Sequence, residues 1–245
     1  MTVVAIAPPA TIAFLGLGMM GRPMASRLAG AGFKLRVFDL SQKAVSDFVG
    51  AHPAALATAS AKAAAQGADA LITMLPDGRV VRQAVLEGSD AAIEGLAAGA
   101  LVLDMSSSNP VDTQKLARDL AGRGIALLDA PVSGGVKRAV DGSLSIMVGG
   151  AAADLERARP AFAAMGKTVT LCGPAGAGHA MKALNNYVSG AGLAAATEAI
   201  KVGRAFGLDP NVMVDVLNAS TGRNNSTEVK LKQFIISESY DTVSG

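Results

Sequence analysis

The sequence predicts an α/β protein in which a doubly wound parallel sheet is followed by an all-α domain entered through one long helix. In the first two thirds of the 245 residues, short apolar runs alternate with alanine-rich helical segments. Such alternation indicates parallel strands joined by right-handed crossovers. After Gly173-Pro174 the strand pattern stops and only helical spacing remains. We therefore expect two domains, residues 1–174 and residues 175–245.

The strands of the first domain are predicted from continuous apolar runs, which are typical of strands covered on both faces. These runs are Thr11–Gly16, Leu35–Asp39, Ala70–Leu75, Leu101–Met105, Ile125–Asp129, Leu144–Val148 and Thr168–Cys172. The helices predicted between them include Gly21–Ala31, Ser60–Gln66, Val111–Ala121 and Ala152–Met165.

The second domain is predicted to begin with a helix that ends at Gly207, a residue suited to the left-handed position after a helix. Its length would be about 27 residues, or roughly 40 Å. Asp209 and Pro210 have the types expected at the N-cap and first position of a following helix, Asn211–Leu217. The small residues along the long helix permit close packing against another helix. The long helix itself suggests a homo-oligomer, which we expect to be a homodimer or homotetramer.

The composition excludes several classes of function. The chain has 22 Lys and Arg against 20 Asp and Glu, and 4% aromatic residues, which argues against nucleic-acid binding. No apolar run is long enough for a membrane span. The one cysteine cannot form an internal disulfide, which is consistent with a reducing, cytoplasmic setting. Two histidines are too few for a histidine-based metal site, so no metal is expected.

A glycine motif lies between the first two predicted strands. Gly16 allows a tight turn, Gly18 lets the backbone approach a pyrophosphate, and Gly21 lets the helix pack on the sheet. The diphosphate would lie at the helix N-terminus, where free N–H groups favour an anion. A purely structural turn is the alternative, but the strand–turn–helix–strand context favours a Rossmann-type dinucleotide site. Its predicted cofactor-binding residues are Gly16, Leu17, Gly18, Met19, Met20 and Gly21.

The choice of dinucleotide is predicted from Asp39, which ends the second strand 18 residues after Gly21. A carboxylate at this place accepts hydrogen bonds from ribose hydroxyls and repels a 2′-phosphate. No arginine follows in Leu40-Ser41-Gln42. These features favour NAD, although Lys43 nearby leaves NADP possible.

Three further segments carry a resemblance to a known family. Asp129–Gly135 (DAPVSGG), continuing to Gly142–Gly149 (GSLSIMVG), closely resembles the substrate-binding signature of the β-hydroxyacid dehydrogenases. That family includes 3-hydroxyisobutyrate, tartronate semialdehyde and L-threonate dehydrogenases. Gly176-x-Gly178-x-x-x-Lys182-x-x-x-Asn186 resembles its catalytic signature, and Phe14–Gly21 resembles its cofactor signature.

The resemblance implies a role for each matching residue. Lys182 would be the catalytic acid/base, and Asn186 would hydrogen-bond the substrate. The substrate carboxylate would be held by Ser133, Gly134 and Gly135. The nicotinamide side of the cofactor cleft would be lined by Leu75, Pro76, Ser106 and Ser107, where the family usually has a threonine in place of Ser107.

The residues themselves are compatible with these roles. Lys182 and Asn186 are four apart, so they share a face of a helix. A lysine on a helix is usually a solvated surface residue, but the neighbours of Lys182 are mostly apolar, and burial would lower its pKa toward working pH. Family members usually continue beyond the end of this sequence, so we expect the chain to be truncated relative to them or naturally short.

The sequence thus favours NAD-dependent oxidation of a small 3-hydroxy acid, such as 3-hydroxyisobutyrate or L-threonate. Two alternatives stay open. One is an NADPH-dependent reductase of glyoxylate or succinic semialdehyde. The other is a non-catalytic binding protein that retains the dinucleotide-binding shell.

Overall fold

The computed structural model describes residues 4–239, which form two compact units. The first unit runs through Lys182 and the second begins at Ala183. Over the described residues no helix combines the length and the apolarity that crossing a membrane requires.

The first unit is built on a nine-stranded sheet with the order β3-β2-β1-β4-β5-β6-β8-β7, and β9 pairs with β8. The strands are β1 Thr11–Leu15, β2 Lys34–Phe38, β3 Leu56–Ala57, β4 Ala70–Thr73, β5 Leu101–Asp104, β6 Ala126–Asp129, β7 Val132–Ser133, β8 Leu144–Gly149 and β9 Gly166–Gly173. Its helices are α1 Gly21–Gly30, α2 Gln42–Ala51, α3 Ala61–Ala65, α4 Gly78–Leu86, α5 Pro110–Ala121, α6 Gly135–Asp141 and α7 Ala152–Met165, with a 3₁₀ turn at Ala92–Glu94.

The helices cover both faces of this sheet, as the predicted doubly wound arrangement requires. Alternate residues of β1 show the division: Ile12 and Phe14 belong to one buried cluster, and Ala13 and Leu15 belong to the other. The first cluster includes side chains of α1, α2 and α7, and the second includes side chains of α3, α4 and α5. The predicted α/β class and the following helical domain are confirmed.

One part of the sheet departs from the predicted parallel arrangement. β8 runs antiparallel to β6, where Asp129 and Gly149 are register partners, and antiparallel to β7, where Ser133 faces Ser145. The connection from β7 to β8 holds only residues 134–143 and the short helix α6. A parallel crossover needs a dozen or more residues, so this short connection returns the chain in the opposite direction.

The second unit is helical. The helix α8 spans Ala177–Ala205, begins in the first unit and continues into the second. It is followed by α9, Pro210–Ala219, and by a π-helical segment, Ser226–Ile236. A small buried cluster joins these three elements through Ala196, Ile200, Val214 and Leu231.

The predicted roles of the residues between α8 and α9 are confirmed, although α8 ends at Ala205 and α9 extends to Ala219 rather than Leu217. Gly207 has a φ of +82°, the left-handed conformation expected after a helix. Asp209 caps α9, since its Oδ1 accepts the backbone N–H groups of Asn211 and Val212 at 2.8 and 3.1 Å. Pro210 follows as the first helical residue.

Candidate active site

The carboxyl ends of five strands lie in one row across the sheet. Phe38, Leu15, Thr73, Asp104 and Asp129 are successive register partners along β2, β1, β4, β5 and β6. The residues that the sequence assigned to the cofactor follow the members of this row by one to six positions. Open α/β sheets bind ligands at this edge, so the row brings the predicted cofactor residues to a single place.

The glycine turn after β1 has the geometry that its sequence predicts. Gly16 has a φ of +97°, and a Cβ there would overlap the carbonyl oxygen of Met74. A Cβ on Gly21 would overlap the carbonyl oxygen of Gly16, whereas a Cβ on Gly18 would meet nothing within 4 Å. No side chain caps the α1 N-terminus at Met20. The protein's own packing therefore requires two of the glycines and leaves space beside the third, which fits a diphosphate lying against Gly18 and the first turn of α1.

Asp39 is tied to the glycine turn. Its Oδ2 accepts the backbone N–H of Leu17 at 2.6 Å, and its Oδ1 accepts the N–H of Ser41 at 2.7 Å. The carboxyl group is thus fixed beside the turn. Lys43, the residue that left NADP possible, is paired with Asp47 at 2.7 Å on the surface of α2. Leu17 is buried, whereas Met19 is exposed and Met20 is partly buried.

The loops after β4 and β5 are joined to each other. The backbone N–H of Leu75 donates to Ser106 Oγ at 2.9 Å, and the N–H of Ser106 donates to Asp104 Oδ1 at 3.0 Å. Ser106 is fully buried, and its hydroxyl is hydrogen-bonded within the protein. Pro76 and Ser107 are exposed, so these two residues lie on the solvent-accessible surface of the loops.

The N-terminal turn of α8 is anchored on the end of β6. Asp129 Oδ1 accepts the N–H of Gly176 at 2.7 Å, and its Oδ2 accepts the N–H of His179 at 2.8 Å. A Cβ on Gly178 would overlap the carbonyl oxygen of Met147 and would press on Asp129. Glycine at this position therefore allows the helix to approach the sheet. A carboxyl group that accepts hydrogen bonds from the first turn of a helix also complements the helix dipole.

Lys182 lies one turn further along α8. Its side chain is half-buried, and this burial lowers the pKa of its ammonium group below the usual 10.5. The cause is desolvation, which disfavours the charged form. Asn186 follows four residues later on the same helix, in the second unit, and is exposed.

The predicted carboxylate-binding loop leaves β7 with exposed main chain. Gly134 and Gly135 have φ values of +132° and +65°, conformations that favour glycine, and both are exposed. Ser133 is partly buried. The side chain of Arg138 lies against Gly134, since a Cβ there would overlap it. The loop thus combines accessible backbone with a nearby cation.

Several site residues had not been predicted to interact. His179 Nε2 lies 3.0 Å from the carbonyl oxygen of Ser106, and its Nδ1 lies 2.8 Å from Thr113 Oγ1. Asp104 also accepts hydrogen bonds from the hydroxyls of Thr73 and Ser108. The sequence feature that could have indicated these interactions is the aspartate at the end of each of two apolar strands, Asp104 and Asp129. Over residues 4–239, no three His, Cys, Asp or Glu side chains are grouped as a metal site would need.

Comparison with known proteins agrees with this geometry. Residues 11–173 match the family described as the NAD-binding domain of 6-phosphogluconate dehydrogenase. Residues 176–244 match the family described as NAD-binding of NADP-dependent 3-hydroxyisobutyrate dehydrogenase. Together these two matches span nearly the whole chain. The chain belongs to the 3-hydroxyisobutyrate dehydrogenase family of β-hydroxyacid dehydrogenases.

Individual relatives of this β-hydroxyacid dehydrogenase lead to the same conclusion. The NAD-dependent L-serine dehydrogenase of Pseudomonas aeruginosa is 44% identical over 89% of this chain and 72% of its own length. The 3-hydroxyisobutyrate dehydrogenase of that organism is 43% identical over 87% of this chain and 70% of its own length. A solved structure of the Mycobacterium tuberculosis 3-hydroxyisobutyrate dehydrogenase with L-serine has a TM-score of 0.82 and 38% identity, covering 90% of this chain and 74% of that one.

The family fixes the class of the enzyme. This β-hydroxyacid dehydrogenase is an NAD(P)-dependent oxidoreductase that acts on 3-hydroxyacids, and its first unit is an NAD(P)-binding domain.

Proposed function

We propose that this enzyme transfers a hydride between a small 3-hydroxy acid, such as 3-hydroxyisobutyrate or L-threonate, and NAD, with Lys182 as the general acid/base. The observation that carries the proposal is the place of Lys182. It is half-buried, its pKa is lowered, and it lies one turn after the point where α8 is anchored to the sheet edge that carries the glycine turn.

Lys182 would move the proton. A neutral Lys182 amine accepts the proton of the substrate hydroxyl as the carbinol C–H bond breaks, which leaves a carbonyl and an ammonium group. In the reverse direction the ammonium group returns the proton to the carbonyl oxygen. Burial favours the neutral amine, which matches a base to its working pH. A bound nicotinamide supplies the hydride acceptor or donor.

The loop after β7 would hold the substrate carboxylate. Gly134 and Gly135 are exposed and have no side chain to shield the backbone, so their N–H groups would receive the oxyanion together with the Ser133 hydroxyl. Arg138, folded against Gly134, adds a positive charge near the loop. Asn186 would hydrogen-bond the substrate from the next turn of α8. Charge-assisted hydrogen bonds to the carboxylate would orient the substrate and so position its carbinol carbon for reaction.

The preference for NAD would come from Asp39. Its carboxyl group is held in place by the N–H groups of Leu17 and Ser41, so it cannot easily turn away from a 2′-phosphate. The neighbouring cation, Lys43, is paired with Asp47 and so does not offset this repulsion of a 2′-phosphate. The NAD-dependent relative from Pseudomonas aeruginosa supports this choice.

The test is a panel of initial rates. The wild-type enzyme is assayed with 3-hydroxyisobutyrate, L-threonate, L-serine and D-glycerate, each with NAD and with NADP. Lys182→Met should abolish turnover and leave NAD binding, measured by calorimetry, largely unchanged. Lys182→Arg should also be inactive, because a guanidinium does not deprotonate at working pH. Lys201→Met, an exposed lysine of the same helix, is the matched control. Turnover of the Lys182→Met enzyme at the wild-type rate would contradict the mechanism.

We further propose that the enzyme is a homodimer or homotetramer that uses α8 as an interface. Leu184, Tyr187 and Val188 have exposed fractions of 59%, 74% and 69%. Their spacing places them on one face of the helix. An apolar face of this kind marks an association surface. Light scattering after size-exclusion chromatography should give a multiple of the 24.5 kDa chain mass, and a monomer at micromolar concentration would contradict the proposal.

A further inference from the structure

The buried polar groups of the first unit are concentrated in one cluster. Among its described residues, every buried polar or charged side chain belongs to this cluster, with exposed fractions of 2% or less. We call it the buried frame, and its members are Thr73, Asp104, Ser106, Thr113, Asp129 and His179. Such groups are costly to remove from water, and a polar network that is fully hydrogen-bonded fixes one arrangement of the elements that it joins.

His179 is the member that connects the other parts. Its backbone N–H donates to Asp129 at the end of β6. Its Nε2 donates to the carbonyl oxygen of Ser106 in the loop after β5, because a carbonyl can only accept. Its Nδ1 is hydrogen-bonded to Thr113 in α5. One residue of α8 therefore contacts a strand end, a loop and a helix of the first unit.

The frame continues to the loop after β4. The Ser106 hydroxyl accepts the N–H of Leu75, so the two loops assigned to the nicotinamide side share one hydrogen-bonded unit with the start of α8. Lys182 lies three residues after His179, on the neighbouring turn of the same helix. The path from Leu75 to Lys182 passes through the part-buried hydrogen bond to the Ser106 hydroxyl, the buried hydrogen bond from His179 and one helical turn.

We propose that His179 is a positioning residue, which fixes the turn of α8 that carries Lys182 relative to the loops at Leu75 and Ser106. The inference rests on the role proposed above for Lys182. His179 would then hold the Lys182 amine at reacting distance from the place of hydride transfer. It would do so without contacting the substrate. A displacement of about 1 Å in such an arrangement can cost about 100-fold in rate.

The proposal is tested with two variants and a control. His179→Leu fills much of the space and removes both ring hydrogen bonds, and His179→Gln retains an N–H donor that can reach the Ser106 carbonyl. His52→Leu is the control, because His52 is the other histidine of the chain. Its ring is partly buried, is hydrogen-bonded to Ser26 at 2.8 Å and stacks on Phe48 at 4.6 Å between ring centroids.

The first readout is the rate of hydride transfer in a single turnover, measured from NADH formation with a saturating hydroxy acid. For His179→Leu we expect a fall of about 30-fold, with the KM for NAD changed less than about threefold. The kinetic isotope effect with substrate deuterated at the carbinol carbon should rise. His179→Gln should recover at least part of the rate. A residue with only a structural role would lower the Tm, as His52→Leu should, and leave the single-turnover rate unchanged.

The second readout does not depend on activity. Hydrogen exchange of a peptide covering residues 175–183 should be about tenfold faster in His179→Leu than in the wild type, and unchanged in His52→Leu. A single-turnover rate within threefold of the wild type, or unchanged exchange at the start of α8, would overturn the inference. If the wild-type enzyme transferred no hydride from any substrate of the panel, the proposed function would fail, and the exchange rates would still decide whether His179 anchors α8.

Discussion

Asp129→Asn tests whether the start of α8 is anchored by a carboxyl group at the end of β6. Asp129 is fully buried, and its two oxygens accept the N–H groups of Gly176 and His179 at 2.7 and 2.8 Å. Asparagine has nearly the same shape but only one acceptor oxygen. Its amide nitrogen would face one of the two backbone N–H groups, so one buried donor would lose its partner.

The expected loss of stability follows from these two contacts. A buried donor left without a partner costs about 1–3 kcal/mol, and the change of the second bond from charge-assisted to neutral costs about 1 kcal/mol. The free energy of unfolding should therefore fall by about 2–4 kcal/mol. That is a large share of the roughly 5–15 kcal/mol that stabilises a typical domain.

Equilibrium unfolding in urea, followed by far-UV circular dichroism, measures this loss, since the chain contains no tryptophan to serve as a fluorescent probe. Asp77→Asn is the matched control. Asp77 caps α4, where its Oδ1 accepts the N–H of Val80 at 2.9 Å, and asparagine is an equally good N-cap. The control should lose less than about 0.5 kcal/mol. A loss of under about 1 kcal/mol for Asp129→Asn, or a loss equal to that of the control, would refute the anchoring.

Further predictions concern the cofactor, the catalytic lysine and the assembly. Gly21→Ala should lower the Tm because its Cβ overlaps Gly16. Gly18→Ala should keep the Tm because its Cβ meets no protein atom within 4 Å, and it should raise the KM for NAD because that Cβ enters the space proposed for the diphosphate. Equal effects of the two changes on both quantities would contradict this. Asp39→Asn should lower the ratio of kcat/KM for NAD to that for NADP roughly tenfold by removing charge repulsion, and an unchanged ratio would count against the role of Asp39. Burial lowers the pKa of Lys182, so between that value and the usual 10.5 the unfolded chain binds more protons and stability rises with pH. Lys182→Met should remove this part of the slope in unfolding measured at several pH values. Tyr187→Glu should dissociate the proposed oligomer in light scattering without reducing helix content, and an unchanged mass would exclude this face as the interface.

Local signals were sufficient to predict many of the elements. The glycine turn, the left-handed Gly207 and the Asp209 cap depend on residues within a few positions of one another, so each could be recognised in the sequence. The short strands β3 and β7, with two residues each, had no such signal. The antiparallel direction of β8 was also missed, because it depends on the short return through α6.

The sequence by itself determined that this protein contains a dinucleotide-binding domain. It also predicts that the cofactor lies next to Gly16, Gly18 and Gly21 and, through family resemblance, that Lys182 is the acid/base. These conclusions depend on residue type and on short spacings. Only the tertiary structure decided which residues anchor the start of α8. The hydrogen bond between His179 and Ser106 joins residues 73 positions apart, and that between His179 and Asp129 joins residues 50 apart. Such pairs are in contact because β5 and β6 end at the same edge of the sheet. No periodicity in the sequence predicts these contacts.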